Sequence, residues 1–256
     1  MIIRAFLEIL LSNVLSVKSF YIDRLMQMFM YGLIVTCLWR GYVLNYKVSS
    51  SWDGGDKNLA PLTLMLALAC ILFSYGSMTL VANLGSYINP EIIYRYFNFH
   101  VKKGAVYDIF SWRVLIFIMA TVIVAPIVEE IVFRGMLLSN FVKRRGPVLG
   151  VTLASITFTA FHFLSPDLIG TFVFSVIIST FYLKYKSIRA CMATHSLYNL
   201  IAFVYQYYFG WWWIRPIGSL KDIYSWDGGY LALVLSLMAF LSFYKFGYIR
   251  INKAQD

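Results

Sequence analysis

The chain has 256 residues, 60% of them hydrophobic and only 13% charged, with a mean hydropathy of +0.70. Several apolar stretches reach the ~20 residues needed to cross ~30 Å of hydrocarbon, which excludes an ordinary soluble domain and indicates a multi-pass protein of the cell membrane. The net charge of +10 falls in short loops and not in a dense basic domain, which argues against nucleic acid as a partner and for the positive-inside rule.

In chain order, residues 1–17 are apolar but carry Arg4, Glu8 and Asn13 with no small-residue cleavage site after them. They predict an amphipathic interfacial helix or a poor first span, not a signal peptide. Helical spans are predicted at about 25–44, 59–82, 112–133, 148–164, 168–183, 188–208 and 230–248, so the fold class is all-α, a polytopic bundle of seven to eight transmembrane helices. The long connection 85–109 holds Asn89-Pro90 and Lys102-Lys103 and predicts an interfacial helix carrying Tyr94, Tyr96 and Phe97. Cys37, Cys70 and Cys191 are isolated in apolar segments without CxxC spacing and read as packing residues.

Ser51-Trp52-Asp53-Gly54-Gly55 recurs as Ser225-Trp226-Asp227-Gly228-Gly229, each time before an apolar run. Both read as interfacial turns. Lys143-Arg144-Arg145, then Lys184, Lys186 and Arg189, then Lys245, Arg250 and Lys253 fall on one side if each intervening span crosses once. That side is expected to be the cytoplasm, with the stretch around Trp211, Trp212 and Trp213 opposite.

Glu129 and Glu130 interrupt an apolar run from 114 to 132 broken otherwise only by Thr121 and Pro126. Charged groups at membrane depth are costly and mark functional sites. Neighbouring helical residues differ by ~100° in direction while residues four apart share a face, so Glu130 stacks on Arg134 as an ion pair and Glu129 is directed elsewhere. The same spacing relates Phe158 to His162 and His195 to Asn199. His195 and Asn199 therefore offer donors from one helix face.

These segments, Glu129-Glu130-Ile131-Val132-Phe133-Arg134, Phe158 to His162 and His195 to Asn199, resemble the EExxxR, FxxxH and HxxxN motifs of the CPBP, or Abi, family of intramembrane proteases. That family includes the CAAX prenyl endopeptidases and bacteriocin-immunity proteins. Ala125-Pro126 before the acids, Gly135 after Arg134 and Pro147 after a basic turn are similar as well. The resemblance covers about 112–205, which divides the chain into membrane spans without a matched motif (1–110), a catalytic core (111–209) and a loop, last span and tail (210–256).

The resemblance implies peptide-bond hydrolysis by activated water on a peptide or membrane-protein substrate within the lipid bilayer. Glu129 would be the base, His162 would position the water, and His195 with Asn199 would stabilise the oxyanion. Glu130 would act in support, and Arg134 and Phe158 would be structural. No cofactor is implied; the alternative is zinc on Glu129, His162 and His195 with a fourth position open to water, against which stands the lack of HExxH. Two other classes stay open, a non-catalytic scaffold and a proton-coupled transporter. The short loops and basic turns suggest a bacterial protein engaged in pheromone maturation, bacteriocin immunity or processing of a membrane protein.

Overall fold

A computed structural model of the chain describes residues 59–93, 112–162, 165, 167–209 and 228–253. Among these residues the elements are all helical: α1 (Leu59–Ile88), α2 (Trp112–Ile118), α3 (Ala125–Glu130), α4 (Ser139–Phe161), α5 (Leu168–Tyr185), α6 (Ile188–Phe209) and α7 (Gly228–Lys253). Between α2 and α3 and between α3 and α4 the chain stays helical but widens to π register, over Met119–Val124 and Ile131–Leu138. Three runs, Leu59–Ile88, Val114–Phe161 and Leu168–Tyr185, are long and apolar enough to cross a membrane, and Gly229–Lys245 is a shorter apolar helix. The chain is a multi-pass membrane protein. The expected span at 25–44, the segment 1–17, the first Trp-Asp-Gly-Gly turn, the aromatics of 94–97 and the tryptophans of 211–213 lie outside the described residues.

The structure moves one expected boundary. The apolar run ends near Phe133, yet the helix continues to residue 145 and breaks at Gly146, whose φ of 78° lies in the left-handed region that glycine tolerates. Ser139 and Asn140 are polar but do not break a helix, whereas Gly146-Pro147 does. The 48 residues of Val114–Phe161 would extend about 70 Å if straight, more than twice the hydrocarbon thickness, so the bend is what makes two legs of them. Pro147 begins the second leg, where its missing N–H costs nothing. Gly150 lets that leg close on the first: a Cβ there would lie 2.6 Å from Val142 Cγ2. Lys143, Arg144 and Arg145 are exposed at the tip.

Two further contacts fix the bundle. Lys186 adopts φ 51° and its N–H donates to Tyr182 O at 2.8 Å, closing α5, while Ser187 Oγ accepts the Ala190 N–H at the start of α6. This tight turn sends α6 straight back. Elsewhere α1 packs along α7 through small residues, as helices do in lipid. A Cβ on Gly76 would lie 2.6 Å from Leu233 Cβ and 2.8 Å from Gly229 O, and one on Gly229 would collide with Thr79. Gly229, the last residue of the second Trp-Asp-Gly-Gly run, whose Trp226 and Asp227 lie outside the described residues, is thus a glycine that the seam requires. Asn83 Nδ2 donates to the Tyr230 hydroxyl at 2.6 Å near the same end.

Candidate active site

Glu129 and Glu130 close α3, between the two π stretches. Such widened turns concentrate at functional sites because they re-aim side chains without ending the helix. Here the ladder has a further consequence. Ala125 N–H donates to Ala120 O, a five-residue step, and the same step would pair Thr121 O with residue 126, which is Pro126 and has no N–H. Asn199 of α6 supplies the missing donor, its Nδ2 lying 2.8 Å from Thr121 O.

Glu130 is completely buried beside Arg134, which is equally buried, and their ion pair is 3.0 Å long. The helical spacing predicts this pair. Arg134 Nη2 also donates to Ser175 Oγ of α5 at 3.2 Å, and its guanidinium lies over the Phe158 ring, 4.7 Å from the centroid. Removing a charge from such a pair strands its partner in a water-poor interior. Phe158 stacks on His162 as well, with centroids 4.4 Å apart, and its carbonyl lies 2.8 Å from His162 Nδ1. The phenylalanine therefore joins the ion pair to the first histidine.

Both histidines reach the acids. His195 Nδ1 lies 2.8 Å from Glu130 Oε1, and His195 Nε2 stands 3.9 Å from Glu129 Oε2. His162 Nε2 stands 3.7 Å from the same Glu129 oxygen. Adjacent acids on one helix thus address opposite ends of one imidazole. The partners settle one hydrogen on each ring: a carbonyl and a carboxylate only accept, so Nδ1 of each ring donates, and Nε2 of each ring is turned towards Glu129. His195 is buried, Glu129 nearly so, and His162 is the most open, with a third of its side chain exposed.

Glu129, Glu130, His162 and His195, with Arg134 and Phe158, therefore lie in one connected cluster, while Asn199, one helical turn beyond His195, is bonded to the Thr121 carbonyl. Sequence reasoning missed Ser175, which has no periodic signal, and Phe174, whose ring packs 4.9 Å from that of His195. It noted Thr121 and Pro126 only as interruptions, because their five-residue separation orphans a carbonyl only in the π register that the structure shows. Zinc is the alternative reading of Glu129, His162 and His195. Bonds of 2.0–2.1 Å at tetrahedral angles put ligand atoms about 3.3 Å apart, closer than the 3.7 and 3.9 Å found. Among the described residues no group of three or more His, Cys, Asp or Glu side chains is arranged to hold a metal ion.

Comparison with known proteins meets the same segment. The family model described as Type II CAAX prenyl endopeptidase Rce1-like matches residues 111–201. An uncharacterized protein of Mycoplasma capricolum subsp. capricolum (strain California kid) is 29% identical over 173 residues, covering 63% of this chain and 48% of the relative. The chain spans about half the length of that bacterial relative. No solved structure matches.

Proposed function

With residues 111–201 an Rce1-like, CPBP-family domain, we propose that the chain is a glutamate-dependent intramembrane endopeptidase. The observation that carries this reading is Glu129 Oε2 facing the Nε2 atoms of both His162 and His195, with Nδ1 of each ring already engaged. A carboxylate and a bare imidazole nitrogen are both acceptors. A water beside them donates one hydrogen to Glu129 and one to His162, which turns its lone pair outward for attack.

Attack forms the bond from water oxygen to the carbonyl carbon, and Glu129 takes the proton. The tetrahedral oxyanion is met by His195, doubly protonated with Nδ1 held by Glu130, and by the second N–H of Asn199. The first N–H, fixed on Thr121 O, sets the plane of that amide. Donors of this kind are worth ~2.7 to 4 kcal/mol each where water is scarce. Glu129 then returns the proton to the leaving amine as the C–N bond breaks. Arg134 and Phe158 hold Glu130 and His162 in place and touch no reacting atom.

The substrate in this reading is a peptide segment that enters at membrane depth, either a lipidated C-terminal peptide or part of a membrane protein. No metal takes part, and the protein sits in the cell membrane. The test is Glu129→Gln, nearly isosteric yet unable to accept the proton. Cleavage of an internally quenched peptide ending in a farnesylated cysteine and an aliphatic tripeptide should fall about 10³-fold, with peptide binding and thermal stability kept. A Glu129→Gln protein that still supports the cellular phenotype at wild-type level would instead mark a scaffold that acts by interaction.

A further inference from the structure

Asp167 lies outside the site described above, and the proposed chemistry makes no use of it. It caps α5, its Oδ1 accepting the Gly170 N–H at 2.8 Å. A cap needs only that bond, but this side chain collects two more. Ser74 of α1 donates to Oδ2, and the Ser77 hydroxyl of α1, 3.3 Å from Oδ1, shares its hydrogen with the Ser74 carbonyl at 3.0 Å. Gly170 permits the approach, because a Cβ there would fall 2.6 Å from Asp167 Cγ.

The chain of bonds goes on to the motif helix. Ser74 Oγ lies 3.2 Å from the hydroxyl of Tyr198, within the turn of α6 that runs from His195 to Asn199. A carboxylate only accepts, so the single hydroxyl hydrogen of Ser74 points to Asp167, and Ser74 oxygen must accept from Tyr198. Phe174 completes the link, its ring 4.8 Å from Tyr198 and 4.9 Å from His195. One serine thus ties α1, the mouth of α5 and the motif turn of α6 together.

We propose that Asp167, acting through Ser74, is a positioning residue for the α6 turn that carries His195 and Asn199, its carboxylate fixing the direction of the Tyr198 hydroxyl bond and the seating of that turn. Burial pushes the Asp167 carboxyl up to about 6. The groups facing it are the Ser74 and Ser77 hydroxyls of α1, the Gly170 amide of α5 and, beyond Ser74, the Tyr198 phenol of α6; among the described residues no cation pairs with it. A carboxyl raised on folding favours the protonated fold, so the stability it contributes is full at low pH and is lost as pH rises through about 6.

Asp167→Asn tests the proposal, because it keeps an oxygen for Gly170 and Ser77 but presents N–H to Ser74, forcing the hydroxyl chain to reverse. In the full chain in detergent, hydrogen exchange of amides 195–199 should rise roughly tenfold while 168–171 stay protected. The fall in thermal stability between pH 5 and pH 8 should also shrink. The catalytic arm rests on the endopeptidase reading: with the farnesylated quenched peptide, kcat should drop about tenfold at constant KM, and adding Tyr198→Phe should cost nothing more. Should Asp167→Asn fail to fold, Ser74→Ala keeps the α5 cap and carries the same measurements. Unchanged exchange at 195–199 in Asp167→Asn, with a wild type that cleaves the peptide, would overturn the positioning role and leave the protease reading intact. Faster exchange in a chain that never cleaves it would do the reverse.

Discussion

Among the described residues, two interfaces are built on opposite principles. Along the α1–α7 seam the contacts are glycine on leucine and glycine on threonine, with backbones so close that a methyl group does not fit at Gly76 or Gly229. Around the end of α3, Glu130, Arg134 and His195 are all buried and are joined by an ion pair and a hydrogen bond. Lipid is as apolar as leucine, so hydrophobicity alone joins no helices there; close packing does it in one place and paired charge in the other. The difference teaches where function can reside. A seam of small residues tolerates no added volume but carries no proton, whereas the charged cluster keeps one acid, Glu129, facing two rings that are already oriented.

Arg134→Ala should break the charged side most severely after loss of the base itself. It leaves Glu130 buried beside His195 without its cation, a change that typically costs 3–5 kcal/mol. Protein abundance and thermal midpoint should fall together with activity, and a fully stable but inactive Arg134→Ala protein would give Arg134 a direct part in the chemistry. Asn199→Ala is expected next, losing roughly 10²-fold in kcat as one oxyanion donor goes. It also orphans the Thr121 carbonyl opposite Pro126, so a smaller loss of stability should accompany it. On the other side, Gly76→Val should cost about 1–3 kcal/mol by overpacking the seam, while kcat of the protein that remains folded stays at the wild-type value. A change in kcat there would mean that the seam and the charged cluster are one mechanical unit.

The same contrast explains what the sequence made legible. Glu129, Glu130, Arg134, His162, His195 and Asn199 stood out because polar groups in apolar runs are expensive, and because a four-residue period puts pairs on one face. Residues that complete the site by meeting a partner from another helix had no such mark. Ser175 and Ser74 are two serines among many until Arg134 and Asp167 arrive beside them. The continuation of the helix to residue 145 was hidden for a local reason: hydropathy reports where lipid ends, whereas only Gly146-Pro147 reports where the helix does. The π register was hidden as well, and with it the reason that Thr121 needs Asn199. Of the seam glycines, Gly229 was read as a turn former and Gly76 passed unremarked inside a span, since the sequence does not say which helix will lie against them.

The smallest expected effect is none at all, and it bears on whether the charged cluster works by proton transfer or by ligation. Nδ1 of His162 is engaged by Phe158 O and Nδ1 of His195 by Glu130, which leaves Nε2 of each ring directed at Glu129. With both rings neutral, the two nitrogens and the carboxylate oxygen would accept a cation if the three atoms closed to the spacing that zinc imposes. Separations of 3.7 and 3.9 Å are wider than that spacing, so the wild-type activity on the quenched peptide should stay within about twofold after EDTA or phenanthroline and dialysis. Purified protein should contain no stoichiometric zinc by elemental analysis. Inhibition by either chelator, reversed by zinc and absent in His162→Ala, would move Glu129 from base to ligand, and the positions of both rings would then have to be explained by the metal they bind.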